Sequence, residues 1–196
     1  MRKERIVIID YGAGNVQSVK FAFQRLKLDV ELTNDPQRIQ SADRVIFPGV
    51  GEASSAMSAL KSSGLDQLIP QLKQPVLGIC LGMQLMCQHC EEGDTMGLGI
   101  FSTSVKRFPP EEKVPHMGWN AAEEMKGELF RGISGRAYFY FVHSYYVPLT
   151  EYTVATCDYI RPFSAALHKD NFFGCQFHPE KSGETGEKLL QNFLSV

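Results

Sequence analysis

Cys80 lies in Gly78-Ile79-Cys80-Leu81-Gly82, where an apolar run gives way to a helical pattern. Glycine, nucleophile and glycine at this spacing make a nucleophile elbow, a sharp strand-to-helix turn that leaves the central side chain at its apex. A sulfur in the first turn of a helix also meets free backbone N–H groups and the positive end of the helix dipole, which favour thiolate over thiol. The pentapeptide is equally compatible with a buried cysteine in a glycine-bearing turn, so Cys80 needs a base before it carries chemistry.

Gln176-Phe177-His178-Pro179-Glu180 supplies one at the end of an apolar run. Pro179 disfavours the helical conformation at His178, which should therefore be extended. Residues two apart in an extended chain point to the same side, so the Glu180 carboxylate can reach the His178 ring, fix its tautomer and stabilise the imidazolium. A His-x-Glu pair alone is more often just two solvated side chains. Placed at a strand end, with a cysteine elbow upstream, it points to Cys80, His178 and Glu180 as nucleophile, base and orienting acid. A third part is Pro48-Gly49-Val50-Gly51, which is either a plain loop or a turn whose glycines aim the Val50 N–H at a ligand. If that loop faces Cys80, the N–H groups of Val50 and Leu81 make a two-donor oxyanion hole.

These parts need a scaffold. Residues 5–10, 44–47 and 76–79 read as strands and 16–26 as a helix, an alternation that predicts a parallel sheet covered by helices. Residues 138–142, 152–156, 165–168 and 172–177 read as further strands before a last helix at about 184–194, so the sheet should be mixed. No repeat, low-complexity tract or linker divides the chain, and residues 1–196 are read as one α/β domain.

Composition excludes several classes. With 43% hydrophobic residues, 21% charged residues and a formal net charge of -2, the chain lacks the basic excess of a nucleic-acid binder. No apolar run approaches the length of a membrane span, and the N-terminal residues lack the features of a signal peptide. Five irregularly spaced cysteines argue for free thiols in a reducing compartment, so a cytoplasmic location is expected. Cys87-Gln88-His89-Cys90 is read as part of a helix with no second ligand pair, and no metal or cofactor is expected. The aromatic stretch Tyr138-Phe139-Tyr140-Phe141 is read as a strand with core-facing rings. His116 and His168 are read as structural.

Taken together, Pro48-Gly49-Val50-Gly51, Gly78-Ile79-Cys80-Leu81-Gly82-Met83-Gln84 and His178-Pro179-Glu180 resemble the class I (triad) glutamine amidotransferases over nearly the whole chain. The resemblance implies a flavodoxin-like fold with a mixed, mostly parallel central sheet flanked by helices. Within the family, Asp10-Tyr11-Gly12-Ala13-Gly14-Asn15, Pro115-His116-Met117-Gly118-Trp119-Asn120, Phe141-Val142-His143-Ser144-Tyr145 and His178-Pro179-Glu180-Lys181-Ser182 most resemble the glutaminase subunits of imidazole glycerol phosphate synthases. That resemblance implies hydrolysis of L-glutamine and transfer of the ammonia to a (β/α)8 cyclase partner, which forms imidazole glycerol phosphate and an aminoimidazole carboxamide ribotide in histidine biosynthesis. It further implies low activity until the partner binds its ligand, and a peptide flip at Val50. Gly49, Gln84, Glu92, His143, Ser144 and Tyr145 would hold glutamine, and Asn15, Trp119, Tyr138 and Lys181 would face the cyclase. The alternatives are a related subunit feeding ammonia to another synthase, such as one in sugar modification, a different cysteine hydrolase, and a catalytically dead scaffold.

Overall fold

The computed structural model describes residues 4–12 and 16–196. In chain order its elements are β1 (Ile6–Ile9), α1 (Val16–Arg25), β2 (Val30–Thr33), α2 (Pro36–Gln40), β3 (Arg44–Gly49), α3 (Ala53–Ser63), α4 (Leu65–Leu68), β4 (Val76–Cys80) and α5 (Leu81–Leu85). There follow β5 (Cys87–Cys90), β6 (Thr95–Met96), β7 (Phe101–Arg107), β8 (His116–Ala122), β9 (Ala137–His143), β10 (Tyr145–Tyr146), β11 (Thr153–Tyr159), β12 (Arg161–Lys169), β13 (Phe172–Cys175) and α6 (Gly183–Phe193).

The central sheet runs β11-β12-β13-β4-β3-β1-β2. From β13 to β2 every pairing is parallel, while β12 and β11 are antiparallel, so the sheet is mixed and mostly parallel. Strands of such a sheet are covered on both faces, and all five residues of β4 are buried. Alternation along each strand divides the core in two. Ile6 and Ile8 pack on one face with Phe23, Phe139 and Phe177, whereas Val7 and Ile9 pack on the other with Leu60, Met83 and Phe101. A smaller sheet, β10-β7-β5-β6, and the β8-β9 pair lie outside the central sheet.

Two expectations change. Cys87–Cys90 is strand β5, not helix. Gly97 to Phe101 run against the end of α5, and the N–H groups of Leu98, Gly99 and Ile100 take the carbonyls of Leu85, Cys87 and Met86 that a continuing helix would use. A Cβ on Gly97 would sit 2.1 Å from the Cys87 carbonyl oxygen, which is why that approach needs glycine. Of the aromatic stretch in β9 only Phe139 and Phe141 are buried, while Tyr138 is 51% exposed, as the two-residue period of a one-face-buried strand requires.

Candidate active site

The elbow forms where β4 meets α5. Cys80 itself takes the strained backbone conformation, φ 53° and ψ −109°, a conformation that costs about 1–3 kcal/mol and persists only where its surroundings enforce it. The flanking glycines contribute close approach. A Cβ on Gly82 would lie 1.9 Å from the Phe47 carbonyl oxygen, and one on Gly78 would lie 2.4 Å from Met86 Cε. A Cβ on Gly49 would meet Gly82 N, Leu81 Cβ and the Tyr11 hydroxyl, each at 2.8 Å. The end of β3 is therefore pressed against the elbow, and the Tyr11 hydroxyl holds it there by donating to the Pro48 carbonyl at 2.9 Å. Burial, followed by the nearby Cys80, pushes the Tyr11 pKa up and keeps that donor protonated.

His178 follows β13 in an extended conformation, φ −100° and ψ 94°. Its Nδ1 lies 2.8 Å from Glu180 Oε1, with both side chains buried. The segment is anchored by the His178 N–H donating to the Tyr140 carbonyl at 2.9 Å, and by Phe177 stacking on Phe139 with ring centroids 3.9 Å apart. Burial lowers the His178 pKa, but hydrogen bonding and charge from Cys80 and Glu180 outweigh it and raise the value to about 10. Among the described residues, His178 Nε2 is buried with no hydrogen-bond partner of normal geometry. The ring nitrogen that faces away from Glu180 is thus open, with the Cys80 sulfur near enough to bias its protonation.

Cys80 and His178 open onto a cavity of about 310 Å³ that is also lined by Val50, Leu81, Gln84, Glu92, His143, Ser144 and Tyr145, a size suited to one small molecule. Gly49 does not line it. It lies behind Val50 at a void of about 10 Å³ shared with His178 and Glu180, while Gly51, at φ 101°, lines the cavity. Glu92 Oε2 accepts from the Ala53 N–H at 2.8 Å, which ties the carboxylate to the start of α3. Burial raises the Glu92 pKa, with the Ala53 bond opposing it and Glu52 adding to it.

His143 forms a buried pair with His116, Nε2 to Nδ1 at 2.9 Å. His143 Nδ1 donates to the Tyr145 carbonyl at 2.7 Å, and Asn120 Nδ2 lies 3.2 Å from His116 Nε2. Burial lowers His116 to about 4 and His143 to about 3, so both rings are neutral at pH 7. The carbonyl fixes His143 as the Nδ1–H tautomer, and His116 must then donate to it. The pairing of two histidines 27 positions apart left no local trace in the sequence; only the facing of β8 and β9, which aligns His116 with His143, reveals it.

On the outer face of β8-β9, Trp119 (57% exposed) and Tyr138 (51%) are joined by Met117. Lys181 Nζ lies 5.9 Å from the Tyr140 ring, against which Trp119 packs edge-on. The structure thus groups Trp119, Tyr138 and Lys181 on one surface; Asn15 lies outside the described residues. Strand alternation, counted from Trp119, is the signal that adds Met117.

Residues 7–196 match the family described as glutamine amidotransferase class-I. An imidazole glycerol phosphate synthase subunit HisH of Bacteroides fragilis is 58% identical over 195 residues, covering 98% of this chain and 100% of that protein. A subunit of the same name from Colwellia psychrerythraea is 46% identical, covering 100% of this chain and 95% of its own length. In architecture the chain is similar to the crystal structure of a glutamine amidotransferase from Thermotoga maritima, with a TM-score of 0.67 at 18% identity, covering 100% of this chain and 84% of that one. A cysteine elbow and a buried His-Glu pair meeting at one cavity agree with the match along nearly the whole sequence, and the chain belongs to the class I glutamine amidotransferases.

Proposed function

We propose that this chain is the glutaminase subunit of an imidazole glycerol phosphate synthase, hydrolysing L-glutamine through Cys80, His178 and Glu180. The observation that carries the chemistry is the buried His178–Glu180 pair, whose free Nε2 faces the Cys80 side of the cavity. The pathway assignment rests on the full-length relatives that bear the synthase subunit name.

In this reading His178 takes the Cys80 proton and the thiolate attacks the side-chain amide carbon of glutamine. The oxyanion is held by the N–H groups of Leu81 and Val50. His178, kept in its imidazolium form by Glu180, returns the proton to the departing nitrogen. Ammonia leaves, and water delivered by the same base hydrolyses the γ-glutamyl thioester to glutamate. Glu92 supplies the negative charge that an α-ammonium needs, and Gln84, His143, Ser144 and Tyr145 shape the rest of the cavity, with Gly49 supporting Val50 from behind. No metal or organic cofactor is required by these steps.

Ammonia released into water would be protonated and lose its nucleophilicity, so a second subunit must receive it directly. We assign that role to a (β/α)8 cyclase docking on the face of Trp119, Tyr138 and Lys181, with Asn15 as a further contact. The exposed Trp119, Tyr138 and Met117 on the β8-β9 pair have the composition of interface hot spots, and Lys181 adds a cation beside Tyr140. Five unpaired cysteines support a cytoplasmic setting, and no helix among the described residues is long and apolar enough to cross a membrane. The test is glutamate release from glutamine by the purified chain, alone and with a matching cyclase plus its nucleotide ligand, using Cys80→Ala as the control. Strong stimulation that vanishes in the control supports the assignment. No release in any mixture removes it, and release stimulated only by a different synthase redirects it.

A further inference from the structure

Gln176 has no part in the chemistry above, yet it is fully buried and its side chain ends at the nucleophile. Its Nε2 lies 3.6 Å from Cys80 Sγ, within the range of a hydrogen bond to sulfur. The parallel register pairs Gly174 with Gly78 and Cys175 with Ile79. Continuing it one step sets Gln176 beside Cys80, and the two-residue period places Gln176 and His178 on the same side of their strand. One segment thereby brings both the base and a second polar group to the sulfur.

The orientation of the Gln176 amide follows from its neighbours. The Tyr145 carbonyl can only accept, and it lies 2.9 Å from Gln84 Nε2 and 2.7 Å from His143 Nδ1. Gln84 must therefore present its NH2 group there, and the same nitrogen lies 2.9 Å from the Gln176 amide oxygen. With that oxygen engaged as an acceptor, the nitrogen of Gln176 is the atom left facing the sulfur. Besides the His178 ring, Sγ also meets the Val142 carbonyl oxygen at 3.8 Å, which can accept from a thiol and repels a thiolate. A second donor is what a thiolate needs beside that oxygen.

We infer that Gln176 is a positioning residue of the glutaminase site, whose amide N–H, locked by Gln84 and the Tyr145 carbonyl, holds the Cys80 sulfur and favours its thiolate form. The inference rests on Cys80 being the nucleophile, but it is tested on the sulfur itself rather than on turnover. A hydrogen bond to a charged group contributes about 1.5–3 kcal/mol, so its loss corresponds to roughly tenfold or more in thiolate population.

The experiment follows alkylation of the full chain by iodoacetamide against pH, with Cys80→Ala as the blank for the four other cysteines, in wild type and in Gln176→Met, which preserves side-chain length without a donor. The expected result is a rate about tenfold lower near pH 7 in Gln176→Met, with the two rates converging at high pH. Profiles that superimpose overturn the inference. A second readout needs no variant. In the wild-type chain the Gln176 side-chain amide proton resonances should move with the midpoint of Cys80 alkylation, and resonances that stay flat across it overturn the inference even if Gln176→Met does not fold. Because neither readout contains glutamine, a failure here is separable from a failure of the glutaminase assignment.

Discussion

Gly82→Ala puts one methyl group at the tightest contact beside the elbow. The new Cβ would lie 1.9 Å from the Phe47 carbonyl oxygen and 2.9 Å from the Phe47 carbonyl carbon, both backbone atoms of β3. Neither can rotate away, so α5 and the end of β3 must separate by at least about 1 Å to reach an ordinary contact in a close-packed interior. Phe47 is three residues before Val50 and pairs with Gly78 across the sheet, so the separation falls between the two halves of the site. Overpacking of this kind costs about 1–3 kcal/mol, which is roughly 2–12 °C in Tm for a domain of this size. A 1 Å misplacement in a catalytic site costs on the order of 10²-fold in rate. Gly64→Ala is the matched control. Gly64 has φ 69° at the far end of α3 with open space around it, so it should lose about 1–2 kcal/mol and keep full activity per folded molecule. Glutamate release in the presence of the partner, normalised to folded protein by circular dichroism, distinguishes the two. Wild-type activity and melting temperature in Gly82→Ala would refute the account of the elbow.

Replacing Glu180 by Gln removes the charge that holds His178 Nδ1; kcat/KM should fall by about 10² or more, and the histidine limb of the pH–rate profile should move to lower pH. Stability should peak near pH 6.5. The His178 pKa is raised from the ordinary 6.5 to about 10, so its contribution is present below pH 6.5 and lost as pH climbs toward 10. His116 and His143 are lowered to about 4 and about 3, so theirs is present above pH 6.5 and lost as pH falls toward those values. Chemical denaturation across pH should therefore show a shallower alkaline limb in Cys80→Ala, which lacks one of the groups that raise His178. Trp119→Ala and Tyr138→Ala should leave the stability of the isolated chain within about 0.5 kcal/mol yet weaken partner binding by more than about 1 kcal/mol, several-fold in Kd by titration calorimetry.

The elbow at Cys80 and the placing of Glu180 beside His178 were legible because each part is local. Pro179 alone sets His178 extended, and Gly78 and Gly82 mark the elbow within five residues. Strands β1, β3 and β4 were legible for a similar reason, since strands buried on both faces read as short continuous apolar runs; β2 was not read, because in Val30–Thr33 only Val30 is buried. Cys87–Cys90 was misread because its strand is imposed by pairing with Thr95–Met96 and Phe101–Arg107, a tertiary effect absent from the segment itself. The His116–His143 pair and the Gln84–Gln176 bond were invisible because their partners lie 27 and 92 positions apart. The close packing of Gly49 against Leu81, Gly82 and Tyr11 had no local sign either, because those residues come from other parts of the chain.

The central claim, that Cys80 is the nucleophile, is tested most directly by acid-quenching the complete complex during turnover and weighing the peptide that carries Cys80. The account predicts a fraction of that peptide heavier by one γ-glutamyl group, labile to hydroxylamine and absent in Cys80→Ala. Continued glutamate release with no adduct on Cys80, or undiminished release by Cys80→Ala, would contradict it.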